Sequence, residues 1–259
     1  MPAIYMDEKT MACLSPAGFT GGDSVYVQLT FNGMDYTPRQ ENLVFSFYNL
    51  VGSFPKSGPA DGFDDVIIVR GKGFKPGTHV MCELNKTSIA PVEMNSTHIL
   101  CPMCLPTKDP KAIGLVKFGV NFDKSYSDFG NFYYYTQIAF TEMQPRYGPN
   151  EGKGIIYFQG ERFRDDFPGV QIGCKLGDAI GEGVMIDPTT IKCVVPKMNL
   201  VDDGFSLPAS LALNSHSWVG SSLEGGVRYT PYGIVQMTPN AGPYDGYSDI
   251  VVSGKGFTE

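Results

Sequence analysis

The chain has 259 residues, of which only 18% are charged, with Gly 31, Pro 19, Tyr 14 and Phe 17. A net charge of -7 and the lack of any dense Lys/Arg cluster argue against nucleic acid and anionic membrane as partners, since both need rows of cationic side chains. No apolar run reaches the roughly 18 residues of a membrane-spanning helix, and Met1–Lys9 lacks the apolar stretch of a secretion signal.

In chain order, short runs of β-forming residues bounded by Gly, Pro, Asn and Asp predict antiparallel strands. Thr10–Pro16, with Cys13, comes first, then the strand-like Ser24–Phe31 and the aromatic Val44–Tyr48. Gly58-Pro59, Gly62, the apolar Val66–Val69 and the turn Gly71-Lys72-Gly73-Phe74 follow. The same ordered set returns 90 residues later as Gly148-Pro149, Gly152, Ile155–Phe158 and Gly160 to Phe163. It returns again 94 residues further on as Gly242-Pro243, Gly246, Ile250–Val252 and Gly254 to Phe257. His98–Cys104 and Thr190–Pro196 repeat the first cysteine segment, placing Cys101 and Cys193 where Cys13 stands. Gly114–Asn121 and Pro208–Asn214 repeat the next strand, and Phe132–Tyr135 and Val227–Tyr229 repeat the aromatic one. Self-similarity at one period is the mark of a repeated structural unit.

This ordered set resembles the IPT/TIG domain, the immunoglobulin-like fold shared by plexins and certain transcription factors. The resemblance extends over nearly the whole chain and implies an all-β protein of tandem immunoglobulin-like (IPT/TIG) β-sandwiches in a rod-like array. On that phase, residues 1–49 are the C-terminal part of one domain, 50–140 and 141–232 are complete domains, and 233–259 are the N-terminal strands of a further one. The chain is then expected to be a stretch of a longer array, or to be completed at its ends by neighbouring chains. No Gly/Ser-rich linker lies between Tyr135 and Pro145 or between Tyr229 and Pro239, which predicts close, stiff junctions.

Cys82 and Cys101 are 19 residues apart, as are Cys174 and Cys193. Equal spacing at equivalent positions argues for one structural role, either a disulfide in each repeat or a pair of buried thiols acting as small apolar groups. The resemblance implies the disulfides, because plexin-type relatives carry similar pairs. Each would close a loop of about 20 residues and contribute about 3 kcal/mol. Cys13 has its expected partner upstream of Met1, and Cys104 stands where Pro16 and Pro196 stand. Cys101 and Cys104 have Cys-x-x-Cys spacing, yet redox chemistry wants a helix start and zinc wants a second ligand pair. A free thiol or an inter-chain bond is expected at Cys13 and Cys104.

Two N-glycosylation sequons, Asn85-Lys86-Thr87 and Asn95-Ser96-Thr97, lie between Cys82 and Cys101. With the cysteines they predict an extracellular or cell-surface protein carrying N-linked glycans at Asn85 and Asn95. His79, His98 and His216 fall in no nucleophile motif, so neither a catalytic residue nor a cofactor is assigned and no enzymatic activity is expected. The glycine turn Gly71 to Gly77 faintly resembles a dinucleotide loop, but its recurrence at Gly160 and Gly254 marks it as scaffold. Asp61, Asp64 and Asp65, and at the equivalent turn Asp245 and Asp249, are carboxylates that Ca²⁺ would accept. Asp and Gly are also ordinary turn residues, and no metal site is assigned. The aromatic run Phe132–Tyr135, with Tyr126 and Phe129, reads as core, and Trp218 as an anchor for a domain or chain contact.

The function expected from these features is an extracellular structural or adhesive protein, a rigid array of IPT/TIG domains assembling into a filament or surface coat. Its partners would be other copies of itself or neighbouring domains of a longer chain. The alternatives are the ligand-binding ectodomain of a plexin-like receptor and an accessory module of a carbohydrate-active enzyme. DNA binding by this fold is excluded on charge.

Overall fold

A computed structural model describes residues 1–60, 65–75, 79–85, 87–103, 114–122, 125–200 and 206–257. Every regular element among them is a β-strand, and no helix among them is long and apolar enough to cross a membrane. The chain forms two compact units, residues 1–54, 66–102 and 117–130, and residues 55–65, 103–116 and 131–259.

The first unit opens with two antiparallel hairpins, β1 (Ala3–Asp7) with β2 (Thr10–Cys13) and β3 (Ser24–Tyr26) with β4 (Val44–Ser46). β5 (Asn49–Phe54) is followed by β6 (Ser57–Pro59), which belongs to the second unit, and then by β7 (Val66–Lys72) and β8 (Val80–Leu84). Next come β9 (Thr87–Ile89), β10 (Glu93–Met94), β11 (His98–Pro102), β12 (Gly114–Phe122) and β13 (Ser125–Tyr135). One sheet has the order β10-β11-β7-β5, and the other places β8 between β12 and β9. Apolar residues alternate along these strands with the period of two that a half-buried sheet requires. Ile67 and Val69 of β7, Val80, Cys82 and Leu84 of β8, and Ile99 and Cys101 of β11 are thus buried.

In the second unit the end of β13 pairs in parallel with β6, Tyr133 opposite Ser57. The chain continues as β14 (Ala139–Gln144), β15 (Tyr147–Pro149), β16 (Ile155–Glu161), β17 (Gly173–Leu176), β18 (Ala179–Asp187) and β19 (Thr190–Val194). β20 (Leu207–Ala212), β21 (Val219–Gly220), β22 (Arg228–Thr238) and β23 (Val251–Lys255) complete it. The strand order is β14-β16-β19-β18-β17-β20-β22-β15. β18 changes sheets part-way, pairing through Ala179–Glu182 with β17 and from Gly183 onward with β19. The strands thereby fold into two layers around a core that includes Phe140, Phe158, Ile191, Leu211 and Tyr229. This is an immunoglobulin-like β-sandwich.

The repeated glycine turn has one geometry at all three places. The ring of Phe74 folds over Gly71, that of Phe163 over Gly160 and that of Phe257 over Gly254, so that none of these glycines has room for a Cβ. The residue before each phenylalanine is left-handed, with φ of 79° at Gly73, 66° at Arg162 and 74° at Gly256. A β-bulge interrupts the adjoining strand pair each time, between Leu50 and Gly52, Phe140 and Glu142, and Ile234 and Gln236. Recurring with one geometry, the turn is scaffold.

Candidate functional site

Inward-facing positions of strands in opposite sheets bring each cysteine pair together. Cys82 of β8 is bonded to Cys101 of β11 with a Cα separation of 5.7 Å, and Cys174 of β17 to Cys193 of β19 with 6.2 Å. All four are buried, so each bond crosses a sandwich core. Gly183 of β18 lies against the second bond. A Cβ added there would stand 2.9 Å from the Cys174 sulfur and 2.7 Å from Ile172 Cγ2. Cys13 is a free, exposed thiol, and Cys104 lies outside the described residues.

Within the second unit, residues from two consecutive repeats meet. The Tyr133 ring stacks on Phe167 at 4.9 Å between centroids with the planes 5° apart, and Tyr135 stacks on the same ring at 5.1 Å. The Arg164 guanidinium lies over Tyr133 at 5.5 Å, while its Nε and Nη2 donate to the two carboxylate oxygens of Asp166 at 2.7 and 2.8 Å. That forked bond raises the Arg164 pKa and holds the Asp166 carboxyl below its ordinary range. Asn214, 1% exposed, donates through Nδ2 to the Ser57 carbonyl oxygen at 2.6 Å and to Ser217 Oγ at 3.0 Å. Its Oδ1 accepts from the backbone N–H groups of His216 and Ser217, so the amide is satisfied at both ends. Beside it, Gly169 at φ 79° brings backbone close to Lys56, whose ammonium pKa is lowered by burial.

Sequence reading did not single out Phe167, Arg164, Asn214 or Gly183. The Asn214-to-Ser217 spacing is the one local signal, since Asn with Ser three residues on is a common side-chain-to-backbone turn.

Asn85 and Asn95 lie in two hairpin turns. Asn85, exposed at φ 60°, closes the β8–β9 turn and donates its N–H to the Lys117 carbonyl oxygen at 2.7 Å. Asn95, also exposed, opens the β10–β11 turn, where its Oδ1 accepts from Thr97 N at 2.9 Å, Thr97 Oγ1 at 3.1 Å and His98 N at 2.8 Å. Lys86 is outside the described residues. Of the aromatic run, Phe132, Tyr134 and Tyr135 are buried, and Tyr134 donates its hydroxyl proton to the Met103 carbonyl oxygen. Phe129 stacks on Phe118, whereas Tyr126 is exposed. Trp218 is half-buried, with its ring set over Gly173.

Asp61 and Asp64 lie outside the described residues, so the first acidic turn is represented by Asp65 alone, and Asp245 and Asp249 are exposed. Among the described residues no three His, Cys, Asp or Glu side chains converge as a metal set. The second unit also carries an open groove of about 610 Å³ between β18 and the segment 165–172, lined by Asp165, Ile172, Ile180, Glu182 and Val184 among others.

No protein family matches the chain, and no curated protein is similar to it. Among solved structures it is similar to the full extracellular region of plexin A4, domains 1 to 10, at 16% identity and a TM-score of 0.43. That match covers 80% of this chain and 19% of the plexin, so the chain spans about a fifth of that protein's length. It is also similar to SGBP-B of the Bacteroides ovatus mixed-linkage glucan utilization locus, solved with a mixed-linkage heptasaccharide, at 9% identity and a TM-score of 0.26. There 73% of this chain and 46% of the other are covered. The I9–I11 tandem of titin matches at 11% identity and a TM-score of 0.26, over 74% of this chain and 69% of that one.

Proposed function

We propose that the chain is a run of IPT/TIG-type sandwiches, with residues 50–140 and 141–232 each a whole domain, that works outside the cell as a non-catalytic structural or adhesive array. The observation that carries this reading is the meeting of consecutive repeats. Phe167 stacked on Tyr133 and Asn214 bonded to Ser57 bring residues of the two repeats together within one compact unit. A joint of that kind suits a stiff array better than beads on a flexible tether. Two disulfides across sandwich cores support an oxidising, extracellular setting, because such bonds are rare where thiols are kept reduced. The partners on this reading are further copies of the chain or neighbouring domains of a longer one.

Electron microscopy of native material tests it. Fibres whose axial repeat equals a whole number of domains are expected, and dispersed single particles at every concentration would sink the filament. A second reading, a ligand-binding ectodomain, draws on the groove beside β18. It predicts single particles that lose a ligand on Glu182→Lys, an outcome opposite to the first.

A further inference from the structure

We infer that Asn85 and Asn95 both carry N-linked glycans, and that these glycans cover the split β9/β10 edge of the sandwich on which they sit. The inference rests on the extracellular reading above.

β9 ends one sheet of that sandwich and β10 ends the other, and they are only three and two residues long. The break between them is Ala90-Pro91-Val92, where proline has no N–H to give a ladder. Val92 is 66% exposed. In the next repeat the same place is filled by β18, one continuous strand of nine residues that pairs with both sheets. At this edge the first sandwich is therefore interrupted and the second is not. An exposed sheet edge is a template for pairing with another chain unless something blocks it.

The two sequons bracket this interrupted edge, Asn85 in the turn entering β9 and Asn95 in the turn leaving β10. Comparison with the second repeat separates what the turns need from what the sequons add. Gly177 takes the place of Asn85, with φ 59° against 60°. Asp187 takes the place of Asn95, and its Oδ1 accepts from Thr189 N at 2.8 Å and Thr189 Oγ1 at 2.7 Å, as Asn95 Oδ1 accepts from Thr97. The first turn thus requires only a left-handed residue and the second only a side-chain oxygen, and Gly and Asp suffice. Asn supplies an amide nitrogen beyond those needs at both places. Thr87 stands where the second repeat has Ala179, and Ser96 where it has Pro188, the residue type that forbids a sequon. The extra chemistry falls on the repeat in which this edge is split.

In the modification, Nδ2 of each asparagine attacks the anomeric carbon of a polyprenyl-diphosphate-linked oligosaccharide. A C–N bond forms as the sugar C–O bond to diphosphate breaks, polyprenyl diphosphate leaves, and the amide loses one proton.

The test uses the full chain secreted from a eukaryotic host, together with native material. N-glycanase should lower the intact mass by two glycans. Asn85→Gly and Asn95→Asp, which keep both turns as the second repeat builds them, should each remove one. Asp187→Asn combined with Pro188→Ser should add a third. Deglycosylation of the folded protein should raise its self-association in light scattering. Peptide mapping that finds both disulfides formed but Asn85 and Asn95 unmodified overturns this inference and leaves the extracellular reading standing. Free thiols at all four cysteines in native material overturn both. Glycans whose removal leaves self-association unchanged overturn the covering of the edge.

Discussion

Asn214 Nδ2 donates to the Ser57 carbonyl oxygen at 2.6 Å with both residues buried, across 157 residues of sequence. Asn214→Ala removes that donor together with the acceptor for the Ser217 N–H group, so the buried Ser57 carbonyl oxygen and Ser217 N–H both lose their bond to this side chain. Each such loss costs about 1–3 kcal/mol. The variant should lower the urea midpoint with little change in slope. Asn214→Asp should be worse, since it keeps the acceptor but puts a carboxylate against the Ser57 carbonyl oxygen. Equal midpoints for wild type and Asn214→Ala would show that this bond contributes nothing.

Phe167 fills the space between Tyr133 and Tyr135, and its ring is 6% exposed. Truncation to alanine loses apolar burial and leaves a cavity, at a cost of about 3–5 kcal/mol. Arg164 loses one face of its aromatic contact in the same variant. A double-mutant cycle of Phe167→Leu with Tyr133→Leu should give a coupling of about 0.5–1.5 kcal/mol for the stacked pair. Strict additivity would mean that the stack is mere proximity.

The contrast between these residues and the repeat shows what can be read from a sequence. The glycine turns, the cysteine pairs and the aromatic closing strands were legible because their causes are local or recur at one period. Gly71 and Phe74 are three residues apart, and the same pair appears twice more. Phe167 and Asn214 left no such trace. Tyr133 and Ser57, which they meet, lie in the preceding repeat, and at those positions the repeats need not agree. Gly183 was invisible for a different reason. Glycine in a strand is usually a weakness, and only the disulfide packed against it gives it a role. Even the sequons were half-legible, since their spacing is plain but the split edge between them emerges only from the pairing of β9 and β10.

Gly183→Ala should therefore destabilise by about 1–3 kcal/mol, the cost of forcing a methyl into a packed core. The added Cβ meets Ile172 and both cysteine sulfurs within 3.3 Å. Gly220→Ala, with nothing within 4 Å of the new methyl, serves as the control and should be close to neutral. Thermal unfolding of the two variants under non-reducing conditions checks this. A midpoint for Gly183→Ala equal to that of Gly220→Ala would mean that β18 shifts without penalty.

Each disulfide should contribute about 3 kcal/mol by restricting the unfolded chain, given loops of about 20 residues. Cys82→Ala with Cys101→Ala should lower stability in the first unit, and Cys174→Ala with Cys193→Ala in the second. Reductant should erase the difference between each double variant and wild type at that site. A double variant whose stability matches wild type without reductant would count against any contribution from the bond.

Tyr229 gives the chain a stability limit in alkali. Its ring is 1% exposed and its hydroxyl lies under Gly148, so burial, with a smaller contribution from Tyr232, pushes its pKa up to about 12. In the unfolded chain a tyrosine ionises near about 10. Below that pH both states hold the proton and stability does not depend on this group. Between about 10 and about 12 the unfolded chain releases the proton while the folded one keeps it, so stability falls as pH rises. Above about 12 both are ionised and the slope from this residue ends. Tyr229→Phe should flatten the decline in denaturant midpoint across that window. In wild type the near-ultraviolet absorbance titration should show a late tyrosine step that Tyr229→Phe removes. If Tyr229→Phe leaves the alkaline decline unchanged, the loss of stability in alkali has its source elsewhere in the core.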